Sequence, residues 1–356
     1  MTCSLAYQTP ISAAVDAAFP VAAESLTEKL PAILRVESIT YQPHANGVHT
    51  LCVARLYSDQ ACVTVNWKVI QPDRRIQAWS LVMVRWASHQ ACENGAIRID
   101  RLVLAERPNA MTNLFTLVPH DSRIGERSVI VRAARLFAAL PRSLALVFNL
   151  LLWDRTRFRR YIRGPSSLNH HHNYWGGNLQ HAVETAELAV SMTSTVTGVD
   201  ANLLIMGGLL HDLGKLSEYR YDPKGDTFTL SLRGQLVGHR DTLLEWLAVA
   251  LVRVRPALSE KQHLALLHLF FASEHAPDHV GLRRPRMLES KILAAADRLS
   301  GQKDLFARSS NESPEGGQGR YHEGLRCAPF SLPRQAWGEA ANDAVVGSGS
   351  LFGRSD

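Results

Sequence analysis

The chain has 356 residues, with 39 Lys and Arg against 33 Asp and Glu, a formal net charge of +6, 46% hydrophobic and 20% charged residues. That composition excludes a stapled mini-protein and a chain disordered over most of its length, and it allows two to three domains. The mild basic excess is compatible with a polyanionic partner and does not specify one.

Cys3, Cys52, Cys62, Cys92 and Cys327 are scattered, odd in number and never in a C-x-x-C pair. A disulfide framework and a thiolate zinc site are therefore not indicated, and a reducing cytoplasm is the simplest location. No apolar run reaches the roughly 18 residues of a spanning helix, and the first twenty residues lack the basic start of a secretory signal, so a soluble chain without a membrane partner is expected.

Residues 1–30 are an N-terminal extension. Between Ala32 and Ala105 apolar residues alternate with period two, which predicts strands near Ala32–Ile39, Val48–Tyr57, Cys62–Ile70, Leu81–Ala87 and Ile97–Leu104, separated by turn residues such as Asn46-Gly47 and Pro72-Asp73. Five short strands over residues 31–108 suit an oligonucleotide-binding (OB) barrel. Arg35, Arg55, Trp67, Lys68, Arg85, Trp86 and Arg98 are its candidate nucleic-acid contacts, since such barrels hold single strands by stacking and cationic contacts. The alternative is that Trp67 and Trp86 are core, since tryptophans pack cores more often than they stack bases, and that the basic residues form a solvated face.

After Pro108 the period becomes helical. Residues 109–165 form a basic connector, and its RTRFRRYIR run, Arg155–Arg163, carries five arginines without an acid; Arg157 and Arg160 are candidate polyanion contacts. Residues 166–304 form an all-α domain interrupted by a hairpin-like insert at Tyr219–Leu232. Residues 305–356, rich in Ser and Gly, are expected to form a disordered tail. The expected class is α+β multidomain.

The strongest chemical signal is His211-Asp212, at the end of LLIMGGLLHDLGK. The preceding segment is apolar nearly all round, so a polar pair there requires compensation, and a divalent metal supplies it. An isolated HD dipeptide carries little weight. Here it is accompanied by His181 on an apolar helical stripe, then by His239, His268, His275 and Asp297 on or at the ends of later apolar-periodic segments.

Taken in order, H…HD…H…H…D resembles the HD superfamily of metal-dependent phosphohydrolases. The segments LNHHHNYWGGNLQHAVETAELA and SEYRYDPKGDTFTLSLRGQLVGH, together with the order barrel, helical connector, HD domain, resemble the YhaM-type 3′–5′ exoribonucleases over roughly residues 32–304. That resemblance implies metal ligands at His181, His211, Asp212, His239, His275 and Asp297. It places Lys215 near the scissile phosphate and the paired His171 and His172 near phosphate or the first ligand. The chain reads Ser273-Glu274-His275-Ala276 where the family commonly reads S-H-H-G, which makes Glu274 and His268 further candidates for metal or phosphate.

The implied reaction is phosphodiester hydrolysis of single-stranded RNA or DNA. The implied cofactor is a divalent metal, two ions of Mn²⁺ or else Co²⁺, Fe²⁺, Zn²⁺ or Mg²⁺, with Asp212 and Lys215 as catalytic groups and homo-oligomerisation allowed. Three alternatives stay open: hydrolysis of small nucleotides, a mobile-element role suggested by the likeness of His170-His171-His172 to the histidine run of MobH-type relaxases, and non-catalytic nucleic-acid binding.

Overall fold

A computed structural model describes residues 30–44, 47–87, 92–93, 95–121, 123–274, 282–310 and 316–332. The N-terminal part is a mixed sheet of β1 (Leu34–Pro43), β2 (Thr50–Tyr57), β3 (Cys62–Val69), β4 (Leu81–Trp86), the two-residue β5 (Cys92–Glu93) and β6 (Ala96–Leu104). All five strands predicted from period two are present. The short β5 escapes that reading because two residues show no periodicity.

Neighbouring strands run in the order β3-β2-β1-β4-β6-β5, and β3 also pairs with β6 through Val65↔Ile97 and Asn66↔Arg98. The β3–β6 pairing is parallel, and the others are antiparallel. Alternate residues point inward: Cys52, Ala54 and Leu56 from β2, and Val63, Val65 and Trp67 from β3.

This alternation corrects two candidate contacts. Trp67 falls on the inward series and is core, 6% exposed. Arg35, 1% exposed, is buried because helices cover the start of β1, where three successive residues, Leu34, Arg35 and Val36, have no access to solvent.

The helical part comprises α1 (Arg127–Ala138), α2 (Arg142–Leu152), α3 (Arg155–Arg163), α4 (Gly177–Ser191), α5 (Ala201–Leu210), α6 (Lys215–Glu218), α7 (Leu232–Leu236), α8 (Gly238–Arg253), α9 (Glu260–Phe271) and α10 (Leu288–Ser309). A hairpin of β7 (Tyr219–Asp222) and β8 (Thr227–Leu230) interrupts them, at the position of the expected insert. The expected boundary at residues 165/166 does not coincide with a break in packing. Val129, Phe148 and Phe158 of α1–α3 share one apolar core with Ala182, Leu209 and Leu247 of the later helices.

The C-terminal expectation also needs correction. α10 buries Ile292, Leu293, Ala296, Ser300, Gly301, Leu305 and Ser309, which recur at three- and four-residue spacing, and that stripe carries the helix to Ser309. Beyond it, β9 (Gly317–Gln318) pairs with β10 (Phe330–Ser331), and Arg320 N–H donates to the Ser309 carbonyl, so order continues past residue 305. Among the described residues no helix is long and apolar enough to cross a membrane.

Candidate metal centre

Three helices bring the ligand candidates together. α4 carries His181, α5 ends at His211, and α10 carries Asp297. The Asp200 carboxylate accepts from Asn202 N–H and starts α5, whose apolar surface then buries it among its neighbours. Two glycines of the motif permit the approach. A Cβ on Gly208 would lie 2.3 Å from Ala186 Cα of α4, and one on Gly214 would lie 1.8 Å from the His239 carbonyl oxygen. Without them, His181 and His239 could not sit so close to the His211-Asp212 turn.

His181 Nε2 and His211 Nε2 face each other at 3.1 Å. The opposite ring nitrogens show where the hydrogens belong. His211 Nδ1 lies 3.0 Å from the Gly208 carbonyl oxygen, an acceptor only, so Nδ1 carries hydrogen. His181 Nδ1 lies 3.0 Å from Ser300 Oγ, whose own hydroxyl donates to Glu184 Oε2 at 3.2 Å. The Glu184 carboxyl is held down at about 2: burial opposes its ionisation, while His172, Lys303 and Gln180 outweigh that effect. Ser300 therefore accepts from His181 Nδ1–H. In the neutral rings both Nε2 atoms are bare lone pairs, and two lone pairs at 3.1 Å need a cation between them.

Carboxylates close the arrangement. Asp297 Oδ1 is 3.0 Å from His181 Nε2 and 3.6 Å from His211 Nε2, while Asp212 Oδ2 is 3.5 Å from both. Burial disfavours an imidazolium at His211, yet the Asp212 and Asp297 carboxylates outweigh burial and raise it to about 10. Burial likewise opposes charge on Asp212, but Lys215 and His211 hold its carboxyl well below the usual range. The cluster thus takes up positive charge, and a divalent ion suits the same neutral nitrogens and anionic oxygens. His181, His211 and Asp212 lie close enough for one ion to be shared.

Other expected residues gather around this core. Lys215 Nζ donates to Asp212 Oδ2 at 2.6 Å. His239 Nδ1 is fixed 2.8 Å from Glu218 Oε2, with Nε2 4.0 Å from Asp212 Oδ1. His171 and His172 form a second group with His181, their Nδ1 atoms 3.3 Å apart. Burial, then His181, Lys215 and His172, lowers His171 to about 4 and keeps its ring neutral.

Some candidates are not brought in. His268 Nε2 accepts from Arg286 N–H at 2.8 Å, and the exposed Glu274 pairs with Lys291 at 3.3 Å. His275 lies outside the described residues. On the proposed nucleic-acid face, Lys68 and Arg85 are exposed and Trp86 is half-buried against the sheet core. Arg157 has a structural role, its guanidinium 4.0 Å over the Trp246 ring and bonded to the Leu151 carbonyl, whereas Arg160 is exposed. The supporting residues Glu184, Ser300 and Glu218 were missed in the sequence. Their signal was helical spacing from a ligand: Glu184 three residues after His181, and Ser300 three after Asp297.

Comparison with known proteins agrees with this geometry. Residues 178–302 match the family model described as HD domain. The 3′–5′ exoribonuclease YhaM of Bacillus licheniformis is 28% identical over 151 residues, 42% of this chain and 46% of that protein. Its counterpart from Bacillus pumilus is 30% identical over 146 residues, 41% of this chain and 45% of the relative. The chain thus spans under half the length of these curated relatives, a shorter stretch than the motif order suggested. No solved structure matches the chain. The chain carries an HD domain and is similar to the YhaM-type exoribonucleases.

Proposed function

We propose that this chain is a metal-dependent 3′–5′ exonuclease acting on single-stranded RNA, with single-stranded DNA as a second substrate. The observation that carries the reading is the pair of facing Nε2 atoms of His181 and His211, 3.1 Å apart and flanked by two carboxylates. The HD match and the names of the curated relatives support the reaction class. For the N-terminal sheet, the β3–β6 pairing that joins two strands otherwise separated in the row supports a closed five-stranded barrel of the OB type.

His181, His211, Asp212, Asp297 and His239 would hold the first ion, and the His171, His172, His181 group supports a second. Mn²⁺ fits nitrogen and oxygen donors without thiolate. A divalent ion there supplies Lewis acidity toward a phosphodiester. The chain's own residues do the positioning. Gly208 and Ser300 aim the His211 and His181 rings, Glu218 aims His239, and Lys215 sets a positive charge beside Asp212 where a phosphate oxygen can be met.

Single-stranded RNA labelled at either end, incubated with Mn²⁺ and run on a denaturing gel, tests this. 5′-labelled RNA should shorten stepwise, 3′-labelled RNA should release labelled mononucleotide at once, and His211→Ala should do neither. A single nick, or equal turnover by the variant, would sink the proposal.

A further inference from the structure

Beside the metal centre lies a cavity of about 560 Å³ that the sequence reading did not anticipate. Its walls come from three places: the turn at Trp79 that precedes β4, helix α3, and the β7–β8 hairpin with the Trp175 loop that precedes α4. Among the described residues, seven cationic side chains line it and no carboxylate does. Two of the seven have acidic partners, since Arg163 pairs with Asp121 and Lys215 with Asp212. Among the described residues, Arg123, Arg155, Arg159, Arg160 and Arg220 have no carboxylate within ion-pair distance. The crowding has a physical signature: burial, then the like charges of Arg123 and Arg155, lowers the pKa of Arg159. Such a concentration of unpaired positive charge calls for a polyanion.

The same walls carry aromatic rings. Trp175 lies 4.9 Å from Tyr221 and 4.7 Å from Phe228, tilted or edge-on to each, and all three rings are half-buried. Arg123 lies over Trp175 at 5.3 Å and Tyr221 at 6.0 Å. Inorganic phosphate alone would need no rings, and an apolar ligand would need no arginines. Rings alternating with guanidiniums match a chain whose flat bases alternate with phosphates.

We propose that this cavity holds the terminal nucleotides of a single-stranded nucleic acid, bases against Trp175, Tyr221 and Phe228 and phosphates on Arg159, Arg160 and Arg220, leading the end of the strand past Lys215 to the histidine-aspartate cluster. The inference rests on the proposed exonuclease activity and deepens it. It assigns the hairpin a role as a stacking wall and moves the strand from the outer sheet face to the junction.

Fluorescence anisotropy with a 12-nucleotide single-stranded oligoadenylate, as RNA and as DNA, in EDTA to prevent turnover, tests it. Trp175→Ala and Phe228→Ala should each weaken binding about tenfold, the lower range of a lost base stack. Arg220→Ala, at an exposed position where folding is not at stake, should lessen the dependence of log affinity on log salt by about 0.7. An oligonucleotide with abasic spacers at its 3′ end, which leaves the protein untouched, should bind the wild type as weakly as the intact strand binds Trp175→Ala. Folded variants that bind within twofold of wild type, or abasic and intact strands of equal affinity, would overturn the cavity assignment. Stepwise digestion by wild type alongside such results would leave the exonuclease reading standing, whereas absence of both digestion and binding would sink the two together.

Discussion

At the scale of single residues, the two facing Nε2 atoms determine what the centre requires. Without a divalent ion, a proton occupies the gap, because the flanking carboxylates hold the His211 imidazolium up to about 10. Metal must displace that proton, so Mn²⁺ binding should release about one proton near neutral pH and tighten as pH rises. Calorimetric titration in buffers of different ionisation enthalpy measures this directly, and a binding enthalpy that does not change with buffer would contradict the tautomer argument. Binding only to the folded chain should also raise its melting temperature, by about 2.7 kcal/mol of stability at a hundredfold excess over Kd. Glu184 gives a second pH effect. Its folded carboxyl sits near 2, below its usual value, so it lends stability above about pH 4.5 that is lost as pH falls toward 2. Denaturant midpoints of the EDTA-treated protein should therefore fall across that interval, and Glu184→Gln should flatten the slope. Ligand types were readable in the sequence because few residues suit a metal. Their supports were not, since Ser and Glu on a helix have many ordinary uses until tertiary contacts choose one.

At the scale of elements, the period-two strands and period-3.6 helices were legible because half-buried elements record their buried face in the order of residues. Trp67 and Arg35 were misread because alternation shows which residues share a face but not which face another layer covers. The close contact of α4 with α5 was equally invisible, as Gly208 could serve a turn, a cap or a contact. Its role is now specific. Gly208→Ala forces a methyl into the Ala186 backbone, and the two helices must separate to admit it. A destabilisation of about 2 kcal/mol is expected from overpacking of this kind. Because separation also moves His181 from His211, Mn²⁺ affinity should fall with stability. Urea unfolding with and without Mn²⁺ measures both. A Gly208→Ala protein with unchanged midpoint and unchanged metal response would show that the helices are not pressed together there.

At the scale of the whole molecule, a buried charge reinforces the apolar packing of Trp79, Leu81 and Ala105 that joins the sheet to the helices. Arg35 projects from β1 toward the helical layer, its Nε donating to the Leu117 carbonyl at 2.6 Å and its Nη1 to the Trp79 carbonyl in the turn before β4 at 3.0 Å. Its guanidinium lies 4.6 Å over the Phe158 ring of α3, the helix that also walls the cationic cavity. Burial lowers its pKa to about 9, so it remains charged at neutral pH and is compensated by carbonyls and ring faces rather than by a carboxylate. Removing it leaves a void and unpaired carbonyls at the seam between the two layers, each a recognised source of large destabilisation. Arg35→Ala should therefore do more than lower the melting point. Trp79, Leu81 and Ala105 still pack into the helical core, but with the buried anchor lost the sheet's own core should loosen first, and the variant should unfold in two steps where the wild type unfolds in one. Far-ultraviolet circular dichroism weights the helices, whereas amide hydrogen exchange of β2 and β3 reports the sheet. Coincident transitions by both probes in Arg35→Ala would show that the seam holds without this side chain.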